Sequence, residues 1–69
     1  MHPMLLKMVI RNAVGSSYLT RSKKWTSDKA DAWEYTTDLV FIHAVDHGGL
    51  VYLRLPMGRE VEVYNGDFL

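Results

Sequence analysis

The chain has 69 residues, enough for a single folded domain, and its 48% hydrophobic and 23% charged residues exclude an intrinsically disordered protein. Eight Lys plus Arg balance eight Asp plus Glu, which removes the overall attraction that drives nonspecific binding to nucleic acid or anionic membranes. The sequence has no cysteine, which excludes disulfides, thiolate nucleophiles and Cys-ligated metal sites.

The first third of the chain predicts a β-hairpin followed by a short extended segment. Residues 5–12 alternate in the period-two pattern of a strand that buries one face. A flexible turn at 15–17 leads to a predicted returning strand at 18–21, where Tyr and Thr favour extended backbone. After a second polar turn at 22–24, the residues Trp-Thr at 25–26 could add a further strand.

The segment 37–49 carries conflicting signals. Thr36 or Thr37 is a suitable N-cap, and Gly48 and Gly49 are typical of a helix exit, so the flanks predict a helix over 38–47. The interior, 39–45, is a nearly continuous apolar run with β-branched residues, which would also suit a buried strand. We favour the helix because both ends carry helix-specific signals.

The last third predicts a second hairpin. Residues 50–55 form one strand, and residues 60–64 form another in which Val61 and Val63 point inward. Pro56 and Met57 fit the central positions of a type I turn, followed by Gly58 in the left-handed conformation.

These elements predict an α+β fold over 1–69: a small antiparallel sheet of four or five strands with one helix, in the order ββ(β)αββ. If 38–45 is instead a strand, the alternative is an all-β barrel of the SH3-like or OB-like type.

No residue pattern points to catalysis, a cofactor or a metal. His43 and His47 share a helix face but lack the Glu of a His-Glu-x-x-His motif, so we expect His47 to interact with carbonyls at the helix end and His43 to be a surface or partly buried ring. Glu60 and Glu62 alternate with valines, as on the solvated face of a strand. We therefore expect a protein that is not an enzyme and has neither cofactor nor metal.

The number of large aromatic and Met residues favours protein binding. Two Trp, four Tyr and four Met exceed what one small core readily hides, and Tyr, Trp, Met and Arg are enriched at interface centres. The predicted protein-binding residues are Trp25, Trp33, Tyr52, Arg54 and Tyr64. The alternatives are that the tryptophans anchor the core, and that the other three cover a second face of the sheet under the helix or a dimer mate.

Nucleic-acid binding is the alternative function. Four basic residues cluster along the chain around Tyr18, Trp25 and Trp33, so that positive charge and aromatic rings interleave as a nucleic-acid-binding surface requires. The predicted residues of this surface are Arg21, Lys23, Lys24, Trp25 and Lys29. Acidic residues follow closely along the chain and partly neutralise this surface. The simpler interpretation is that the lysines occupy a solvated turn.

Size and hydropathy suggest the assembly and the compartment. A core this small is often supported by association, so we expect a homodimer. The first residues lack the pattern of a signal peptide, and no apolar stretch reaches the length of a membrane span, so we expect a cytoplasmic protein.

A longer pattern runs from residue 18 to residue 49. It combines Tyr-Leu at 18–19, Trp-Thr at 25–26, Tyr-Thr at 35–36 and His-Gly-Gly at 47–49. In spacing and residue type it resembles small uncharacterised proteins encoded by phages and prophages. The resemblance implies an α+β accessory protein that binds and modulates a host protein, and it supplies no catalytic residue. The chain departs from that pattern in its unusually apolar helix, which has no Glu and a single Ala where both are typical.

Overall fold

The structure, a computed structural model, describes residues 6–63 as an antiparallel five-stranded sheet with one α-helix. The elements are β1 (Lys7–Asn12), β2 (Tyr18–Leu19), β3 (Trp25–Thr26), α1 (Leu39–His47), β4 (Gly49–Arg54) and β5 (Glu60–Val63). The strands lie in the order β3-β2-β1-β4-β5. This confirms the predicted α+β fold, and the barrel alternative is wrong because the apolar run is helical.

The strand β1 is the centre of the sheet. It pairs with β4 over six residues, from Lys7 opposite Arg54 to Asn12 opposite Gly49, and with β2 on its other side. The β1–β2 turn is closed by the Asn12 amide, which donates to the Ser17 carbonyl at 2.8 Å. Strands distant in sequence therefore form the longest ladder of the fold.

The helix α1 forms as its flanking signals predict, with one change at its start. Its N-cap is Asp38, not Thr36 or Thr37, and the Asp38 side chain makes no capping hydrogen bond. At the other end Gly48 has a φ of 68°, and its amide donates to carbonyls of the last turn. Glycine adopts this left-handed conformation without steric cost, which explains the sharp exit into β4.

The sheet is covered on both faces. On the helix side lies the main core, whose buried residues are Ile10, Leu19, Tyr35, Val40, Ala44 and Val51. On the opposite side a second cluster contains Val9, Tyr18 and Ala32, with Tyr52 packed against it. A 3-10 turn at Lys29–Asp31 precedes Ala32 and brings the chain across this second face.

Two turns differ from their predicted forms. Met57 has a φ of 66° and Gly58 one of 80°, so the predicted type I turn at Pro56 and Met57 is wrong, whereas the left-handed Gly58 is confirmed. The strand β2 is shorter than predicted because Thr20 closes a turn: its amide donates to the Lys24 carbonyl at 2.8 Å, and its carbonyl accepts from Lys23 at 3.0 Å.

Within residues 6–63, no helix has both the length and the apolar character needed to cross a membrane.

Candidate functional site

The outer face of α1 is apolar and uncovered by the described chain. Leu39, Ile42 and Val45 are 43%, 59% and 61% exposed, whereas Val40 and Ala44 on the inner face are buried. The spacing of three residues places Leu39, Ile42 and Val45 along one side of the helix. We call these three residues the apolar face. A helix that is apolar all round is normally covered on every side, so this face has the character of a docking surface.

Two acidic residues flank the apolar face. Asp38 occupies the N-cap position of the helix, and Asp46 lies in its last turn; both are exposed. Asp46 and the two histidines are the only residues of α1 that are not apolar. The segment 39–45 is a nearly continuous apolar run, so its pattern alone predicts no exposed face. The signal was nevertheless available, because a one-helix fold can bury only one side of such a helix.

A second candidate surface is centred on Trp33. The indole stacks on Tyr35 with ring centroids 4.4 Å apart. The Arg21 guanidinium carbon lies over the indole at 5.2 Å from the ring centroid, and the Lys23 ammonium nitrogen at 5.8 Å. Both distances are within the range of cation–π attraction. The structure thus brings two predicted basic residues into contact with Trp33, which is also one of the predicted protein-binding residues.

The Trp33 ring also lies beside the histidines of α1. The His43 ring centroid is 5.4 Å from the indole, and a 2.7 Å hydrogen bond joins His43 Nδ1 to the Tyr35 hydroxyl. Burial raises the pKa of Tyr35 to about 12, so this hydroxyl stays neutral near pH 7. His47 Nδ1 donates to the His43 carbonyl oxygen at 3.0 Å, in agreement with the predicted carbonyl contact. Among residues 6–63, no three potential metal ligands cluster.

The predicted protein-binding residues do not form one surface. Trp25 and Trp33 are half-buried and pack against the main core on the helix side of the sheet, consistent with the core-anchor alternative. Tyr52 packs against the second cluster on the opposite side, and Arg54 lies on that side too. Tyr64 falls outside the described residues.

An ion-pair cluster around Glu60 occupies the second face. The Glu60 carboxylate is 7% exposed and accepts from the Tyr18 hydroxyl at 2.9 Å, from Arg11 at 3.3 Å and from Arg54 at 3.2 Å. Burial is the largest cause of the raised pKa of Tyr18, and the hydrogen bond to Glu60 is the next largest. The prediction of a solvated Glu60 is wrong because the segment 29–32 crosses this face, whereas Glu62 is exposed as predicted.

The same cluster removes Lys29 from the predicted nucleic-acid surface. Its ammonium donates to the Gly58 carbonyl at 2.9 Å and lies 3.8 Å from Glu60. Arg54 is likewise held within the fold, since it donates to Glu34 at 2.9 Å and to the Lys29 carbonyl. Both cations pair with Glu60 on the second face of the sheet, whereas Trp33 packs on the helix side.

Comparison of the chain with protein-family models, with curated proteins and with solved structures finds no match.

Proposed function

We propose that this chain is a small non-catalytic protein-binding module that inserts the apolar face of α1 into an apolar groove with a basic rim on its partner. The observation that carries the proposal is the exposure of Leu39, Ile42 and Val45 on the side of the helix opposite the core. Helices that bind in grooves use such anchors at intervals of three or four residues.

The free energy available on this face is sufficient for a specific contact. Complete burial of an aliphatic side chain contributes about 1.5 to 3 kcal/mol. The apolar face retains roughly half of that for each of its three residues, or about 2 to 5 kcal/mol in all, before the cost of association. Polar contacts at the rim would add specificity more than affinity.

The charges beside the apolar face favour a different protein over a second copy of this chain. In an antiparallel helix pair centred on Ile42, Asp38 of one copy would lie opposite Asp46 of the other. Like charges in close contact are destabilising. A partner with Lys or Arg at the rim of its groove meets both carboxylates favourably. The homodimer predicted from chain length stays a prediction, as does the cytoplasmic location.

The resemblance to phage-encoded proteins extends the proposal. It suggests that the partner is a host protein whose activity the chain modulates, and this extension rests on the resemblance alone.

A site-specific crosslink tests which surface binds. A photoreactive phenylalanine analogue is placed at Ile42 or, as a control, at Met57, which is 99% exposed in the turn between β4 and β5. Each tagged protein is irradiated in bacterial lysate after nuclease treatment, and the products are identified by mass spectrometry. We expect one dominant adduct from position 42 that position 57 does not yield.

Affinity measurements then test the apolar face itself. Ile42→Gln should weaken binding of the identified partner at least tenfold, because a polar amide replaces an apolar anchor. Met57→Gln, a matched change at an exposed apolar residue, should leave the affinity unchanged. Equal effects of the two variants would contradict the proposal. A concentration-dependent dimer that Ile42→Gln dissociates would assign the apolar face to a second copy instead.

A further inference from the structure

We infer that Arg21, Lys23, Lys24 and Trp33, here called the Trp33 patch, form a binding site for single-stranded nucleic acid. The site lies apart from the apolar face of α1 and does not depend on the proposed protein-binding function. It differs from the surface expected from sequence, because Trp33 takes the place of Trp25 and Lys29 is absent.

The distribution of ion pairs leaves the patch positively charged. The eight cations of the chain all lie among the described residues. Lys7, Arg11, Lys29 and Arg54 pair with Glu34 or Glu60. Of the four that form no ion pair within residues 6–63, three belong to the Trp33 patch, and the fourth is Arg59. A chain of zero net charge therefore carries a local cationic surface suited to an anionic ligand.

The backbone holds these cations in a defined turn. The hydrogen bonds between Thr20 and Lys24, and from Lys23 to Thr20, close the segment 20–24. A further bond joins the Lys24 amide to the Thr20 hydroxyl at 3.2 Å. Lys23 has a φ of 69°, in the left-handed region, so its conformation is set by the turn. The cationic side chains thus project from a closed loop rather than from a free one.

The aromatic part of the patch is fixed even more firmly. The Trp33 amide donates to the Leu19 carbonyl at 3.0 Å, and Tyr35, on which the indole stacks, exchanges hydrogen bonds with Met8 at 2.7 and 2.8 Å. Trp33 is nevertheless only half-buried. Tyr35 stacks on this rigid indole, and the exposed side chains of Arg21 and Lys23 lie over it. A base therefore stacks on the guanidinium plane of Arg21, or on the indole once it displaces these two flexible side chains.

The combination selects the ligand class. Phosphate groups require cations, whereas unstacked bases require flat aromatic or guanidinium surfaces. An acidic peptide would use the cations but has no general need for the indole. A duplex keeps its bases stacked internally and would also leave the indole unused. Single-stranded nucleic acid uses both components of the Trp33 patch.

The test measures salt dependence with a defined probe. Fluorescence anisotropy follows binding of a labelled oligothymidylate of about 12 nucleotides to the full chain. Three phosphate contacts predict a slope of about −2 in log affinity against log salt, or a loss of about 20-fold between roughly 50 and 200 mM. The double variant Arg21→Gln with Lys23→Gln retains one patch cation, so its slope should fall to about −0.7 and its loss to about threefold.

A matched double variant distinguishes the effect of the position of the removed charges from the effect of the lower net charge of the chain. Lys29→Gln with Arg59→Gln removes the same two charges outside the patch and should keep the slope near that of the unchanged protein. Trp33→Leu, with its fold checked by circular dichroism, should weaken binding at least fivefold through lost stacking. Ile42→Gln should have no effect on oligonucleotide binding, which keeps this result independent of the proposed protein partner.

Three outcomes would overturn the inference. The first is the absence of binding at low salt. The second is an equal loss of salt dependence in the two double variants, which would show that overall charge alone is responsible. The third is displacement of the oligonucleotide by an oligoglutamate of equal charge at the same concentration as by unlabelled oligothymidylate, which would assign the patch to acidic peptides.

Discussion

The substitution Glu60→Gln tests whether the ion-pair cluster holds the second face of the sheet together. Glu60 accepts hydrogen bonds from Tyr18, Arg11 and Arg54, and Lys29 lies nearby. The amide of Gln has nearly the same size but no charge, so it keeps the packing and removes the charge-assisted bonds. The variant therefore isolates electrostatics from volume.

The expected magnitude follows from the burial of the partners. Removing one member of a buried ion pair costs about 3 to 5 kcal/mol because the remaining charge is left without compensation. Here the side chains of Arg54 and Arg11 are 16% and 26% exposed, so water compensates them in part. We expect a loss of about 2.5 kcal/mol in the free energy of unfolding. For a domain of this size that corresponds to a fall in Tm of about 10 to 20 °C.

The assay is urea and thermal unfolding followed by circular dichroism at pH 7. Glu62→Gln is the matched control, since it makes the same change on the same strand at an exposed position. Its effect should stay within about 0.5 kcal/mol. If the two variants lose equal stability, or if Glu60→Gln loses less than its control, the assignment of the cluster as a structural element is refuted.

Three further predictions concern the helix side of the sheet. Leu19→Ala should destabilise the fold by about 2 to 5 kcal/mol in urea unfolding, because Leu19 is fully buried in the main core and its truncation leaves a cavity. Gly49→Ala should cost about 1 to 3 kcal/mol in the same assay, since its new methyl group would collide with the Ile10 side chain and approach the Arg11 carbonyl. The pKa of Tyr35 rises from 10 in the unfolded chain to about 12 in the folded one. Because the unfolded state loses the proton first, the free energy of unfolding falls between those pH values, by at most about 1.4 kcal/mol per pH unit. Tyr35→Phe should lower the free energy of unfolding at pH 7 by about 1 kcal/mol, because the hydrogen bond to His43 is lost. In urea unfolding at pH 9 and pH 11, the variant should lose less stability between the two pH values than the unchanged protein does.

The elements of secondary structure were the most predictable part of this protein. The alternation of side chains located β1, β4 and β5 to within one or two residues over the described part of the chain. The helix was less certain because its interior has the composition of a strand. The prediction of a helix came from the signals at both of its ends, and of these the structure confirms the exit at Gly48, which has the left-handed conformation of a helix end.

The candidate surfaces were less predictable. The basic residues Arg21 and Lys23 were identified from sequence together with three nearby aromatic residues, but only the tertiary structure decided that Trp33 is the one they contact. Lys29 was grouped with them by proximity along the chain. The structure places it beside Glu60, since the segment 29–32 crosses to the other face of the sheet.

Local chemistry therefore determined where this chain is extended, helical or turned, because periodicity, caps and glycine act over a few residues. Only the tertiary structure decided which face each element buries and which charges meet. The Glu60 cluster joins residues as far apart as Arg11 and Glu60, and the exposure of Ile42 depends on the sheet covering one side of α1 and on no described segment covering the other. Contacts of this kind form between segments that are remote in sequence, so no pattern within one segment can specify them.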